Sequence, residues 1–364
     1  MRNKIGVFII PRFVMNSASG GAENICRMVT IGLAKTFDIV VFHSEPNRNA
    51  KLGKIQQQSK HIQSVNAFYL DDWSRERGEI SPKFCDCAKK MMAECEILLS
   101  FERVLTNVMI DQLCILGGIS YQHCEDIAKS NIWKQLIVPS EFIREKCMVL
   151  SNRKGNIKVI SNGIVCDNFF SSSLVRKYAA LLPYRPDSGK GFYDSIDFIA
   201  MVNKLEEWGE YHIIVTRQDE NDFTYEDFYE KLDNYALQKS VRLEYVTWQA
   251  EGGMNNIYNK CDFVLALGYL EEGFGLTTIE SILAGRYVIS KRKGATIQIL
   301  PNKSGILFAD EHIKLNSVIT IMSEYEKAYL LNEVDRGIAY IKEHYDVGIM
   351  QKKYEEFVIN ALKK

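Results

Sequence analysis

Short apolar runs alternate with amphipathic stretches along the chain, and this alternation predicts an α/β fold. In the first half, the apolar runs predict strands at residues 4–10, 38–42, 96–101, 135–140 and 158–164. Apolar residues recur at helical spacing between residues 25 and 33, which places a helix between the first two strands. Residues 45–82 are polar and irregular, and the pattern assigns no element to them.

The second half repeats the alternation. Its apolar runs predict strands at residues 211–216, 241–245, 263–267 and 287–290, with helical stretches between them. The polar residues 332–364 predict helix with a break at Tyr345-Asp346. Alternating strands and helices are typical of doubly wound parallel sheets, and two are predicted here. We predict one domain at residues 1–168, a second at 169–345, and a C-terminal helix at 346–364 that packs back on the first.

Composition limits the class of protein. The 364 residues are 46% hydrophobic and 25% charged, which is typical of a globular chain with two domains of ordinary size. The sequence contains no run of about 18 uninterrupted apolar residues. We therefore expect neither a secretory signal nor a membrane span. Nine cysteines without a Cys-x-x-Cys pair favour a reducing, cytoplasmic location. Cys85 and Cys87 lack the further ligands of a zinc site, so no metal is expected.

Charge is unevenly distributed between the two halves. Residues 1–165 carry 22 Lys and Arg against 16 Asp and Glu, whereas residues 166–364 carry 23 against 30. The basic half could face an anionic partner, such as a phosphorylated acceptor or the inner face of a membrane as a peripheral contact. Alternatively, the oppositely charged halves attract each other across a cleft. Neither half is basic enough to indicate a partner nucleic acid.

The segment from Glu272 to Glu280 is the most informative part of the chain. Its two carboxylates stand eight positions apart around a Gly-Phe-Gly-Leu turn. The segment follows the predicted strand at 263–267 and precedes a predicted helix, so it lies at the sheet edge where α/β proteins bind ligands. The helix N-terminus there favours an anion. A capping box formed by Thr277 and Glu280 is the alternative, but it leaves Glu272 unexplained.

Cations, glycines and one histidine accompany this motif. Arg185 and Lys190 could clamp a diphosphate and neutralise a departing phosphate, although a solvated basic turn has the same composition. Gly20 and Gly21, at a predicted helix start, let the backbone approach a phosphate or sugar closely. They do not form the Gly-x-Gly-x-x-Gly fingerprint of nicotinamide-binding proteins. A single histidine such as His123 is more often structural than catalytic.

Taken together, these residues resemble the retaining glycosyltransferases of family 4. That family has the GT-B fold, in which two Rossmann-like domains face each other across a cleft. The resemblance covers nearly the whole chain and rests on Gly20-Gly21-Ala22-Glu23, His123, Val138-Pro139-Ser140-Glu141-Phe142, Val159-Ile160-Ser161-Asn162-Gly163-Ile164, Arg185 with Lys190, and Glu272 through Glu280. The last of these resembles the family's E-x7-E motif.

The chain departs from the family pattern at two places. Gly285-Arg286-Tyr287 stands where the family commonly has Gly-x-Pro, and Lys291-Arg292-Lys293-Gly294 replaces an acidic, glycine-rich loop. This cationic loop could contact phosphate or an anionic acceptor, or it could be a solvated turn.

The resemblance implies an enzyme that transfers a sugar from a nucleotide diphosphate sugar to an acceptor hydroxyl, with retention of configuration. The donor is a co-substrate, and neither a cofactor nor a metal is implied. A bacterial glycan, glycolipid or glycosylated metabolite would be the product. The alternatives are a nucleotide-sugar epimerase, for which Glu125 and Asp126 could act as additional acids, and a non-catalytic partner that binds a nucleotide sugar.

The resemblance also implies residue roles. Glu280 would accept hydrogen bonds from the ribose hydroxyls, and Glu272 would face the donor sugar. Arg185 and Lys190 would hold the leaving diphosphate. The remaining donor contacts would come from the backbone N–H groups of Phe274, Gly275 and Leu276 and from Thr278. His123 and Gly21 would act from the first domain.

Overall fold

The computed structural model describes the chain except residues 1, 11–20, 77–78, 118–120, 131, 152–153, 172–174, 218–224, 248–252, 301–303 and 364. Its contacts divide the chain into two units. The first consists of Met1–Gly163 and Tyr345–Lys364, and the second of Ile164–His344. The first unit ends at Gly163, five residues before the predicted domain end at 168. The chain returns to the first unit at Tyr345, one residue before the predicted start of the C-terminal helix at 346.

The first unit begins with eleven described strands and four described helices. The strands are β1 (Lys4–Ile9), β2 (Asp38–Glu45), β3 (Ile55–Ser59), β4 (Ile62–Tyr69), β5 (Trp73–Glu76), β6 (Glu79–Pro82), β7 (Ile97–Phe101), β8 (Val104–Leu105), β9 (Gln112–Ile115), β10 (Gln135–Val138) and β11 (Ile157–Val159). The helices are α1 (Gly21–Leu33), α2 (Asp86–Ala93), α3 (Tyr121–Lys129) and α4 (Glu141–Leu150).

Eight of these strands form one sheet in the order β11-β10-β9-β7-β1-β2-β4-β3. Every neighbouring pair is parallel except β3 and β4. The strands β5, β6 and β8 form a separate small sheet. The unassigned segment 45–82 therefore contains strands, and its polar composition has a physical reason: β3 is an antiparallel edge strand with alternating exposed and half-buried residues.

The second unit contains six strands and seven helices among its described residues. The strands are β12 (Ala179–Leu182), β13 (His212–Arg217), β14 (Leu243–Thr247), β15 (Phe263–Ala266), β16 (Tyr287–Lys291) and β17 (Ile306–Ala309). The helices are α5 (Phe192–Val202), α6 (Glu226–Gln238), α7 (Met254–Tyr258), α8 (Leu276–Leu283), α9 (Thr296–Ile299), α10 (Leu315–Leu330) and α11 (Val334–His344).

The sheet of the second unit has the order β14-β13-β12-β15-β16-β17, and all its pairs are parallel. Numbered within the unit, this is 3-2-1-4-5-6, the order of dinucleotide-binding sheets. The winding reverses between β12 and β15, and ligands of such sheets bind at the carboxyl ends of these strands. The predicted fold class, two Rossmann-like doubly wound sheets, is confirmed.

The chain ends in helix α12 (Val347–Leu362), which packs against α1 in the first unit. Asp346 caps this helix by accepting a hydrogen bond from the Gly348 N–H at 2.8 Å, which gives the predicted break after α11 its physical cause. The Gln351 amide donates to the Met28 carbonyl at 2.9 Å. Among the described residues, no helix is long and apolar enough to cross a membrane.

Candidate functional site

Two loops meet at the point where the second sheet reverses its winding, one after β12 and one after β15. The Tyr269 N–H donates to the Gly189 carbonyl at 3.0 Å. Gly191 has φ of 81°, and a Cβ added there would lie less than 3.0 Å from the Gly268 nitrogen. Only glycine allows both this backbone conformation and this close approach. The two loops therefore form one continuous backbone surface.

A pocket opens on this surface at the carboxyl ends of the strands. Its lining comes from the ends of three neighbouring strands, β12, β15 and β16, from the loops after them and from the starts of α8 and α9: Tyr184, Gly189, Lys190, Ala266, Gly268, Leu270, Glu272, Gly275, Thr277, Thr278, Ser290, Lys291, Lys293 and Thr296. Lysines outnumber carboxylates in this lining, so the pocket suits an anion.

Lys190 and Glu272 form an ion pair at the pocket, although 82 positions separate them in the chain. The Lys190 Nζ lies 2.5 Å from the Glu272 Oε1, and both side chains are partly exposed. Lys190 ends a short 3₁₀ turn that Asp187 caps by accepting from the Gly189 N–H. The Glu272 carbonyl accepts from the Ala295 N–H at 2.8 Å, which anchors the loop backbone. Two predicted site residues are thus brought together.

Helix α8 begins at the pocket, and its start corrects the predicted capping box. Gly275 is the N-cap, in the left-handed region with φ of 85°, and no side chain caps the helix. Thr277 is therefore the second helical residue and Glu280 the fifth, too far along to bond the cap. The first N–H groups of the helix have no intrahelical acceptor and can bind an anion.

Glu280 faces Tyr258 and is not among the residues that line the pocket. The Tyr258 hydroxyl donates to the Glu280 Oε2 at 2.8 Å. Burial raises the pKa of Glu280 to about 7, and the hydrogen bond from Tyr258 opposes part of that rise. Near neutral pH this carboxyl group can therefore exist in both protonation states.

Replacing Glu280 by glutamine is expected to change how stability depends on pH. The pKa is raised in the folded state, so protonation stabilises the fold fully below the usual pKa of 4.5, and this stabilisation is lost as pH rises towards 7. Glutamine stays neutral, so the variant should gain stability relative to the parent across this window, by up to about 2–3 kcal/mol. Thermal unfolding at pH 5 and pH 8 measures the difference.

The matched control for this prediction is Glu230→Gln, at an exposed position of α6. Its effect on the melting temperature should be the same at both pH values. If Glu280→Gln changed the melting temperature equally at pH 5 and pH 8, as this control should, that result would contradict a raised pKa for Glu280.

The cationic loop after β16 lies beside the same pocket. The Lys291 Nζ bonds Asp194 Oδ2 at 2.7 Å, and its side chain is only 7% exposed. The Lys293 Nζ bonds Glu311 Oε1 at 2.7 Å and lowers the pKa of that carboxyl group. The Arg292 guanidinium lies 4.9 Å from the Phe308 ring centre. These cations are held in place by partners, so the loop is not a freely solvated turn.

Four other predicted site residues do not line this pocket or lie outside the residues that the structure describes. Arg185 is exposed and is not among the residues that line the pocket. Gly21 is the first residue of α1 and the His123 backbone lies in α3, both in the first unit. Gly20 and the side chain of His123 lie outside the described residues. Their roles stay predictions.

The remaining donor-binding predictions fall on the loop and on the first turn of α8. Gly275 and Thr278 line the pocket. Phe274 is buried and Leu276 begins the helix, which places their backbone at the same edge. Within the part of the chain that the structure describes, no group of three or more His, Cys, Asp or Glu side chains could hold a metal ion.

Sequence reasoning missed several residues that line the pocket or shape the loops around it. Gly191 and Gly268 are needed for the contact between the loops, and the Gly-Lys-Gly run around Lys190 was the available signal. For Lys291 the sequence left phosphate contact and a solvated turn as alternatives, because nothing in the sequence indicates Asp194 as its partner.

No family model and no curated protein matches this chain. Solved structures do match over its full length. Sucrose-phosphate synthase from Thermosynechococcus elongatus is 12% identical with a TM-score of 0.74, covering 100% of both chains. Anabaena HepE in complex with UDP and glucose is 13% identical with a TM-score of 0.70, covering 99% of this chain and 100% of that one. A glycosyltransferase from Rickettsia africae is 14% identical with a TM-score of 0.67, covering 98% and 99%. These likenesses show the GT-B fold.

Proposed function

We propose that this chain is a glycosyltransferase that moves a sugar from a nucleoside diphosphate sugar to an acceptor hydroxyl. The observation that carries the proposal is the Lys190–Glu272 pair, held beside the start of α8 where the sheet reverses its winding. Nucleotides bind at this point of such sheets. Structures of the similarly folded HepE contain UDP and UDP-glucose, which supports a nucleotide-sugar donor here.

In this proposal the diphosphate lies over the start of α8 and beside Lys190. The ammonium group neutralises the charge that builds on the diphosphate as the bond to the sugar breaks, a task that needs no metal ion. In the structure, the Glu272 carboxylate accepts a hydrogen bond from the Lys190 ammonium group. Phosphate oxygens would take over that contact and leave the Glu272 carboxylate to accept hydrogen bonds from the sugar hydroxyls.

We propose that the sugar keeps its anomeric configuration because the acceptor attacks on the leaving-group face. Glu272 is the only carboxylate among the described residues that line the pocket, and it is ion-paired. That supports a transition state of oxocarbenium character in which the departing diphosphate takes the acceptor proton.

Glu280 is proposed to bind the ribose. Its carboxylate stands one helical turn beyond the pocket lining and is fixed by Tyr258. Two ribose hydroxyls donating to it would favour the ionised form, so the raised pKa makes ribose binding tighter above pH 7 than below it.

A thermal-shift panel of UDP, GDP and ADP tests the proposal. At about 100 times its dissociation constant, the correct nucleotide stabilises the fold by about 2.7 kcal/mol. For a unit of this size that raises the melting temperature by roughly 5–10 °C. The shift should be the same in EDTA, because lysine side chains supply the cations. A flat panel would leave the donor site without support.

Product analysis with the matching nucleotide sugar separates the candidate activities. A transferase releases nucleoside diphosphate, slowly with water as acceptor and faster with a hydroxyl acceptor. An epimerase converts the donor without net release, and a non-catalytic partner protein leaves it unchanged. Either of the last two results would contradict the proposal.

A further inference from the structure

Strand β16 brings two lysines to the pocket that already contains Lys190. Lys291 is the last residue of this strand and Lys293 lies two positions on. Both lysines line the pocket. Each forms an ion pair with a carboxylate that is not part of the lining: Lys291 with Asp194 at the start of α5, and Lys293 with Glu311 after β17. The two ammonium groups are therefore fixed at the pocket wall.

Both ammonium groups have hydrogen-bond donors to spare. An ammonium group carries three N–H donors. Within the described residues Lys291 has one acceptor, Asp194, and Lys293 has one, Glu311. A cation as buried as Lys291, at 7% exposure, is costly to keep with a single partner. Because Lys291 lines the pocket, an acceptor bound there can meet its remaining donors.

The charge of the pocket matches one class of ligand. Its lining has three lysines and one glutamate, a net charge of +2. Each phosphate of a sugar diphosphate ester carries about one negative charge at neutral pH, so the diphosphate carries about −2. Arg185, the second cation that the family resemblance implies, is exposed and contributes nothing to this lining.

We infer that Lys291 and Lys293 bind the donor diphosphate together with Lys190. They would fill the role that the family resemblance predicted for Arg185. The inference rests on the proposed function. It assigns the cationic loop of this chain to the leaving group, and not to an anionic acceptor or to an acidic sugar.

Calorimetric titration with inorganic pyrophosphate and with the nucleoside diphosphate selected by the panel tests this inference. Lys291→Met and Lys293→Met should each weaken both ligands by roughly 10- to 100-fold, the usual range for a charge-assisted hydrogen bond. Arg185→Met should weaken them by less than about 3-fold. Lys293 is the more exposed lysine, so its variant provides the test even if Lys291→Met does not fold.

The matched controls are Asp194→Asn and Glu311→Gln. Each removes the ion pair but keeps the lysine, so affinity for pyrophosphate should be unchanged or tighter. Equal losses in Lys291→Met and Asp194→Asn would mean that the ion pair only positions α5, and would overturn the inference.

Three further outcomes are distinguishable. If Lys190→Met weakens the ligands but the Lys291 and Lys293 variants do not, the inference is wrong and the proposed function stands. If these variants bind pyrophosphate normally but lose a preference for UDP-glucuronic acid over UDP-glucose, the lysines recognise an acidic sugar and the inference is again wrong. If the parent protein binds neither pyrophosphate nor any nucleoside diphosphate, both proposals fail.

Discussion

Replacing Lys190 by methionine is expected to lower donor turnover by about 100- to 1,000-fold, the usual effect of removing a group that stabilises transition-state charge. The ammonium group stands at the reversal point of the sheet, 2.5 Å from Glu272. In the proposed mechanism its removal takes a cation from the leaving diphosphate, and it leaves Glu272 without its partner. Release of nucleoside diphosphate from the selected donor is the measurement.

Two controls separate these causes. Lys239 also forms an ion pair in the second unit, with Asp197 at 2.6 Å, but it is not among the residues that line the pocket, so Lys239→Met should keep full turnover. The double variant Lys190→Met with Glu272→Gln removes both charges. If it regained activity, the unpaired carboxylate would explain the loss. Turnover within about 3-fold of the parent in Lys190→Met would contradict the proposed role.

Gly191→Ala is expected to destabilise the second unit by about 3–5 kcal/mol. The added Cβ would enter the backbone of Gly268 at less than 3.0 Å, in a left-handed conformation with φ of 81° that alanine already disfavours. Backbone on both sides of this contact is tied to β12 and β15, so neither loop can move without disturbing the sheet. Denaturant unfolding measures the change, and nucleotide binding should be lost with it.

The chain offers two matched glycine controls. Gly253 has φ of 117° but no described atom within 4 Å of an added Cβ, so Gly253→Ala tests the backbone conformation alone, at about 1–3 kcal/mol. Gly155 has neither a positive φ nor a described neighbour within 4 Å, so Gly155→Ala should change stability by less than about 0.5 kcal/mol. If Gly191→Ala changed the free energy of unfolding as little as Gly155→Ala, that result would contradict the close backbone contact between the two loops.

The alternation of apolar runs was sufficient to predict most strands, because buried parallel strands are apolar along their whole length. Eight of the seventeen described strands were missed, and three of them illustrate the causes. β12 is Ala-Ala-Leu-Leu and β17 is Ile-Leu-Phe-Ala, four-residue runs with little β-branching. Only their pairing in the sheet makes them strands, β12 in its interior and β17 at its edge. β3 was missed because an edge strand can be polar.

The candidate site was only partly predictable. The order strand, glycine loop, helix placed Glu272 correctly at the sheet edge, and local spacing is enough for that. The same spacing gave a wrong cap for Glu280, because the left-handed backbone of Gly275 starts the helix two residues before Thr277. Spacing alone does not reveal such a backbone dihedral.

By itself, the sequence determined the two α/β halves, the strand–loop–helix setting of Glu272, and the residue types of an anion pocket. These are local properties, set by periodicity, glycine and charge within short windows. The tertiary structure decided which charges meet: Lys190 with Glu272 across 82 positions, and Lys291 with Asp194 across 97. Such pairs depend on the order of strands in the sheet. The 3-2-1-4-5-6 order brings the ends of β12, β15 and β16 side by side, and with them the lysines of one pocket.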